Sequence, residues 1–339
     1  MSLAPLSVRF ETAASNSRTC WVERRGALLQ LMTEGGQLGQ GECSPLPDYS
    51  ADQLTDCLDA LANYPWAQLQ RSILSTPSPS GLREALDVLP SAVPAARFAL
   101  ETALLDLVST QQPAWSLLGG RRPASGRALP RCQLLSGASP AQRLDEAIAA
   151  RDAGVSVVKF KLGRRAFEQE LVELAKFRSE LGEELGIRLD VNQGWTAAEA
   201  AHNLAALAPL AVELVEEPVP FAQLSRLSSA PVPIALDESL QDEQALALLP
   251  GLAARGLVSA LVLKPTVLGG AARCLELAER AVSLGLGVSV SHCLDGSIAF
   301  AASGRLAALL DEPMPCGLVP HPGLALAIAG PSERLWSVS

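Results

Sequence analysis

The chain has 339 residues, 36 acidic against 27 basic side chains, a formal net charge of −9 and only three histidines. At roughly 100 to 200 residues per domain, this length predicts two domains or one large α/β barrel with an appendage. The acidic balance excludes a nucleic-acid-coating surface, which needs a basic patch, and charges or prolines break every apolar run short of the roughly 18 residues of a membrane span.

Met1 to Arg9 lacks the basic-then-apolar order of a secretory leader. Seven cysteines, from Cys20 to Cys316, have no CxxC spacing and form neither a disulfide framework nor a zinc site. These features predict a reduced, soluble, cytoplasmic protein with no nucleic-acid or membrane partner; nothing in them decides between monomer and homo-oligomer. With His202, His292 and His321 the only imidazoles, a metal here is expected to be a hard ion held by carboxylates.

In chain order, Ala27–Met32 and Gly39–Cys43 are short, partly apolar runs with glycines in and between them, predicting antiparallel hairpin strands. A helix follows, with Ser50 as cap, Gln53 three residues on and a stripe of Leu54, Leu58 and Leu61. The Pro- and Ser-rich stretch 75–81 reads as a loop or linker, and Pro94 opens a helix through Phe98, Leu100, Leu104 and Leu107. Residues 1–93 are thus expected to form an α+β capping domain, 94–315 a barrel, and 316–339 the last barrel strand and a tail returning to the cap.

From Leu129 onward, short apolar runs alternate with helical stretches: Cys132–Leu135, Ser156–Phe160, Ile187–Val191, Val212–Val215, Pro233–Leu236, Ala260–Leu263 and Leu286–Val290. Helix signals fill the gaps, with Pro140 in a first turn, Gly154 at the far end, and Thr196 with Glu199 as a capping box. Apolar strands alternating with helices predict a parallel sheet covered on both faces, and an eighth unit near Gly317 would complete a (β/α)8-type barrel. An open doubly wound sheet is the alternative.

Polar residues recur at the C-terminal ends of these runs: Lys159 and Lys161, then Asp190, Glu216, Asp237 and Lys264, each about one strand–helix unit from the next. In a (β/α)8 barrel those ends meet at one mouth, where active sites are built. Taken singly, each has an ordinary explanation as a cap, a turn or a solvated loop residue. Together they are harder to explain that way. Lys159 and Lys161 share strand parity, which is unfavourable unless negative charge is near, and three crowded carboxylates call for a cation.

The set K-x-K (Lys159, Lys161), Asp190 in RLDVNQGW, Glu216 in VEEP, Asp237 in DES and Lys264 in LKPT resembles the enolase superfamily, muconate-lactonizing-enzyme subgroup. ALLDL at 103–107 and SLLGG at 116–120 match the region leading into that family's barrel. Within the subgroup, GECSPLPDYS at 41–50 is similar to the capping segment of the o-succinylbenzoate synthases, as are Arg188-Leu189-Asp190 and Trp195-Thr196.

The resemblance implies that Asp190, Glu216 and Asp237 ligate one Mg2+, or Mn2+ in its place, to which a small-molecule carboxylate substrate binds. Lys161 would be the base, with Lys159 and the metal disfavouring its charged form, and Lys264 would stabilise an enediolate from the opposite side. It implies a hydro-lyase, o-succinylbenzoate synthase activity in menaquinone or phylloquinone synthesis. Asn192 would support the ligands from behind, and Ser291, His292 and Asp295 would face the substrate. Asp295 stands where the family usually has Glu, and His292 and Cys293 replace small residues. Alternatives are an N-succinylamino acid racemase, a dipeptide epimerase or a cycloisomerase of the same subgroup, a Schiff-base aldolase using Lys264, and a non-catalytic barrel.

Overall fold

The computed structural model describes all residues except 17–18, 70–72, 120–121, 124–127, 322–323 and 325–339. The tail expected to return to the cap therefore lies mostly outside the described residues. No described helix is long and apolar enough to cross a membrane, and all seven cysteines are free.

The chain opens with a three-stranded antiparallel sheet, β1 (Ser2–Ser15), β2 (Cys20–Met32) and β3 (Leu38–Cys43). The expected hairpin is β2–β3, paired from Ala27↔Cys43 to Met32↔Leu38. Strand β1 and the first half of β2 go beyond that expectation. As an edge strand, β1 buries only Phe10 and Ala14 and tolerates Pro5, so its sequence carries little apolar alternation. Its pairing slips between Arg9 and Ala14, which bends the hairpin tip.

Two local expectations are corrected in the helices that follow, α1 (Leu54–Ala62), α2 (Trp66–Leu69), α3 (Pro79–Asp87) and α4 (Pro94–Val108). Ser50 does not cap α1; its hydroxyl accepts the Leu46 N–H at 2.8 Å and closes a turn, while Gln53 takes the cap position without a side-chain bond. The stretch read as a linker contains the start of α3, where Ser78 accepts the Gly81 N–H at 3.1 Å and Pro79 occupies the first turn. Proline and serine there are helix-start residues, not loop residues.

Helix α4 is buried on nearly every side and joins the two halves of the molecule. A Cβ at Gly39 or Gly41 of β3 would run into the Ala103 or Ala99 carbonyl, so glycine is what lets the strand lie against the helix. On its other side, Glu101 reaches into the barrel.

There, β4 (Cys132–Leu134), β5 (Val157–Lys161), β6 (Gly186–Asp190), β7 (Leu214–Glu216), β8 (Ile234–Leu236), β9 (Ala260–Leu263) and β10 (Gly287–Val290) form one parallel sheet in sequence order. All seven expected runs are present. Between and after them lie α5 (Pro140–Asp152), α6 (Phe167–Leu181), α7 (Ala197–Leu207), α8 (Phe221–Leu224), α9 (Glu243–Ala254), α10 (Pro265–Leu268), α11 (Ala271–Ser283) and α12 (Ser297–Ala308). Helix α7 has the expected Thr196–Glu199 capping box, and α5 has one from Ser139 and Gln142. Beyond α12, Cys316 bridges Arg131 beside β4, and Gly317 bridges Ser291 beyond β10.

Two buried carboxylates from the N-terminal half complete helices of the barrel. Glu101 accepts the Ala271 and Ala272 N–H groups at the start of α11. Glu42 accepts the Gly296 and Ala299 N–H groups at the start of α12, at 2.8 and 3.3 Å. A helix start has N–H groups without intrahelical partners and a positive dipole end, so a carboxylate satisfies both.

Gly270 allows the Glu101 contact: its φ is +121°, and a Cβ there would collide with the Glu101 carboxylate. Gly270→Ala is expected to lower unfolding free energy by at least about 1–3 kcal/mol in denaturant melts. Gly304→Ala, in α12 with nothing near its missing Cβ, is expected to raise it by about 0.5–1 kcal/mol.

Candidate active site

The site grows from strand parity. On β5, Phe160 turns outward and packs edge-on against Phe177 of α6, with ring centroids 4.7 Å apart. Lys159 and Lys161 therefore both point inward, as their shared parity predicts. Register aligns Lys161 with Asp190 and Asp190 with Glu216, so the ends of three neighbouring strands present an amine and two acids in one row.

Lys159 Nζ lies 2.8 Å from Glu216 Oε2 and 3.3 Å from Asp190 Oδ2. Lys161 Nζ donates to the same Asp190 oxygen at 3.1 Å and to Asn192 Oδ1 at 2.9 Å. The other Asp190 oxygen accepts the Asn192 backbone N–H at 3.1 Å. Asn192 thus supports both the acid and the amine, in left-handed backbone (φ +48°) just past the strand end.

Parity also separates the acidic doublet. Glu216 faces the cavity. Glu217, at φ +44°, turns the other way: it accepts the Asp237 and Ser239 N–H groups at 2.6 and 2.9 Å and the Ser239 hydroxyl at 2.6 Å. It fixes the backbone that carries Asp237. Asp237 accepts from Lys264 Nζ at 2.5 Å on one oxygen and from the Tyr49 hydroxyl at 2.9 Å on the other.

Burial raises the cost of every charge here, and neighbours decide the outcome. It depresses the Lys161 pKa, with Lys159 and Lys264 pushing the same way against Asp190. For Lys159 and Lys264 the adjacent carboxylates win over burial and both pKa values rise. Burial also works against the Asp190 carboxylate, but the three ammoniums outweigh it and hold its pKa low. Glu216 is pushed up by burial and by repulsion from Asp190 and Asp237, despite Lys159.

The cavity above these residues has a volume of about 260 Å3 and is walled on the cap side by Ser15, Trp21, Leu46 and Tyr49. Ser291 and His292 line it; Asp295 does not. Asp295 is fully buried behind the wall, accepting the Thr266 hydroxyl at 2.8 Å and the Cys293 N–H at 3.0 Å, 3.7 Å from Arg24. His292 pairs its Nε2 with the Val319 carbonyl at 3.2 Å. Since a carbonyl only accepts, Nε2 carries the hydrogen, and burial lowers the ring pKa to about 4.

Two residues the sequence reading did not single out complete the site, Tyr49 in the wall and Arg24 behind it. Tyr49 lay inside the quoted GECSPLPDYS segment, but no spacing linked it to the strand ends. Arg24 is a buried cation on β2 that donates to the carbonyls of Ser44, Pro45 and Leu294. It ties the cap loop to the segment after β10, and in the polar run Glu23-Arg24-Arg25, ahead of the expected strand 27–32, no local pattern marked it.

The donor set suits a hard dication. All candidate ligands are carboxylate oxygens, and buried acids outnumber buried amines. Glu238 Oε2 is buried with no hydrogen-bond partner among the described residues. No three of these groups are preset as a metal cage among the described residues; the Lys159 ammonium lies between Asp190 and Glu216, which shows that one cation reaches both.

The enolase C-terminal domain-like family model matches residues 142–323, more than half of the chain, and the chain belongs to that family. An o-succinylbenzoate synthase of Aliivibrio salmonicida is 28% identical over 295 residues, covering 85% of this chain and 80% of its own. A hydrophobic dipeptide epimerase of Enterococcus faecalis is 27% identical over 291 residues, covering 83% of this chain and 78% of its own. A muconate lactonizing enzyme structure from Pseudomonas fluorescens, complexed with muconolactone, superposes with a TM-score of 0.79 at 25% identity, covering 94% of this chain and 86% of that one. The chain is therefore an enolase-superfamily enzyme of the muconate-lactonizing type, similar to o-succinylbenzoate synthases.

Arg24→Met keeps the volume of the side chain but strands Asp295 without its cation and three carbonyls without their donor. Unfolding free energy is expected to fall by about 3–5 kcal/mol, measured by denaturant titration; a loss under about 1 kcal/mol would contradict the bridging role.

Proposed function

We propose that this chain is a Mg2+-dependent o-succinylbenzoate synthase. It would dehydrate 2-succinyl-6-hydroxy-2,4-cyclohexadiene-1-carboxylate to 2-succinylbenzoate through an enediolate. The observation that carries this reading is the meeting of Lys159, Lys161, Asp190, Glu216 and Lys264 around one cavity, with Asp237 held behind its wall by Lys264 and Tyr49, and with the SPLPDYS loop, similar to that of o-succinylbenzoate synthases, supplying Leu46 and Tyr49 to that wall. The bridges at Cys316 and Gly317 support closure of the strands into an eight-membered barrel.

Asp190, Glu216 and Asp237 would hold Mg2+, or Mn2+, which supplies positive charge where the substrate carboxylate gains electron density. Lys161 takes the α-proton: burial and two neighbouring ammoniums favour its neutral form, which a base requires. After that transfer the same amine, now protonated, donates to the departing hydroxyl on its own face of the ring. Lys264, on the far wall, holds a positive charge against the enediolate. Lys159 neutralises the acids it touches and keeps the amine beside it uncharged. Apolar cap residues exclude water, strengthening each of these interactions.

A second reading, N-succinylamino acid racemase, draws on Lys161 and Lys264 approaching from opposite walls, as a two-base reaction needs. Direct assay separates the two. With Mg2+, wild type is expected to aromatise the ring, and Lys161→Ala or excess chelator to reduce turnover by at least about 10^3-fold. A protein inactive on that substrate that exchanges the α-proton of N-succinylamino acids would be the racemase.

Ligand assignment has its own test. Mg2+ is expected to raise the melting temperature of wild type through mass action and to leave Asp190→Asn unmoved. An equal shift in both would remove Asp190 from the ligand set.

A further inference from the structure

Asp237 is held by a residue from outside the barrel. The Tyr49 hydroxyl donates to Asp237 Oδ1 at 2.9 Å and accepts from Lys264 Nζ at 2.5 Å. The Lys264 ammonium also lies 4.5 Å from the Tyr49 ring centroid. The directions follow from chemistry: an ammonium can only donate, so the hydroxyl lone pair faces Lys264 and its hydrogen is left for the carboxylate. One neutral group thus sits between a proposed ligand and the lysine on the far wall.

Tyr49 is itself held by the segment that follows Asp237. Gln241, in the single helical turn Glu238–Gln241, donates from Nε2 to the Tyr49 carbonyl at 3.2 Å and accepts the Ala51 N–H at 3.0 Å. The loop is closed from within by Tyr49 N–H to Leu46 O at 3.1 Å and by Ser50 Oγ on Leu46 N–H. From β2, Trp21 Nε1 donates to the Pro47 carbonyl at 2.8 Å. Asp237 and loop 46–51 are therefore attached to each other twice, through Tyr49 Oη and through Gln241.

We propose that Tyr49 is a positioning residue that couples the seat of cap loop 46–51 to cation binding, by orienting Asp237 and by giving Lys264 a neutral partner. The inference rests on the assignment of Asp237 as a metal ligand. A dication on Asp237 competes with Lys264 for the same oxygens, and the Tyr49 hydroxyl is then the acceptor that keeps the ammonium hydrogen-bonded. Groups behind a ligand commonly set metal affinity by 10–100-fold. Because coupling is reciprocal, a loop that strengthens cation binding must itself be tightened by the cation.

The test uses the full chain, with Mg2+ titrated calorimetrically into wild type, Tyr49→Phe and Gln241→Ala. Tyr49→Phe removes one hydroxyl and keeps the ring; melts without Mg2+ that match wild type establish that it folds. Its Mg2+ affinity is expected to fall about 10–100-fold, and Gln241→Ala, whose side chain bonds the loop backbone at Tyr49 and Ala51, is expected to weaken binding in the same direction. In wild type, Mg2+ is expected to increase hydrogen-exchange protection of amides 46–51, and in Tyr49→Phe to leave it unchanged. Unaltered Mg2+ affinity in Tyr49→Phe, or loop protection that still responds to Mg2+ there, overturns the coupling. Wild type that binds no Mg2+ at millimolar concentration overturns the ligand assignment, and the coupling with it.

Discussion

Three lysines and three carboxylates are withdrawn from water, and neighbours decide which stay charged. Carboxylates hold Lys159 and Lys264 as ammoniums, whereas burial and those two ammoniums favour the neutral form of Lys161. Moving a lone carboxylate or ammonium into a protein interior costs several kcal/mol even after relaxation. Lys159 between Asp190 and Glu216 and Lys264 on Asp237 return much of that cost, and Lys161 donates a hydrogen bond to Asp190. The arrangement works only on a rigid frame. Parallel strands supply it, since register places Lys161, Asp190 and Glu216 side by side while outward residues such as Phe160 anchor each strand to its helix. Backbone in left-handed conformation at Asn192, Gln193 and Glu217 shows where the frame bends to serve the site.

The N-terminal half is bound to this frame by the same rule, that buried polar groups must be satisfied. Glu42 and Glu101 accept N–H groups at the starts of α12 and α11. Those helices would otherwise begin with unsatisfied donors. Arg24 donates to cap-loop carbonyls and to Leu294, and Tyr49 reaches Asp237. Each half thus completes the hydrogen bonding of the other, and the cavity lies along that seam. The two sides of the cavity are mechanically linked for this reason.

Several features escaped the one-dimensional reading for identifiable causes. Strand β1 is an edge whose residues are mostly exposed, so it lacks the apolar alternation that marks a half-buried strand. Pro79 and Ser78 start a helix in a stretch whose composition suggests a loop, because the same residues serve both purposes. Glu216 and Glu217 are indistinguishable by hydropathy; the resemblance to the family's motif, not a local pattern, singled out Glu216. What escaped was the role of Glu217, whose left-handed backbone turns it to the N–H groups of Asp237 and Ser239. Asp295, grouped by position with Ser291 and His292, is drawn behind the wall by Thr266 and Arg24.

By itself the sequence determined the repeating strand–helix units, the inward parity of Lys159 and Lys161, and the polar residue at the end of each successive strand. These are local properties, carried by hydropathy and by chain distance within one unit. Tertiary structure alone decided that Glu217 braces the backbone of Asp237 and Ser239, that Asp295 supports the wall instead of lining it, and that Tyr49 joins Lys264 and Asp237. The Tyr49 pairings span 188 residues of chain to Asp237 and 215 to Lys264. Contacts at such separations form only when the cap closes on the barrel, and no local pattern of side chains encodes them.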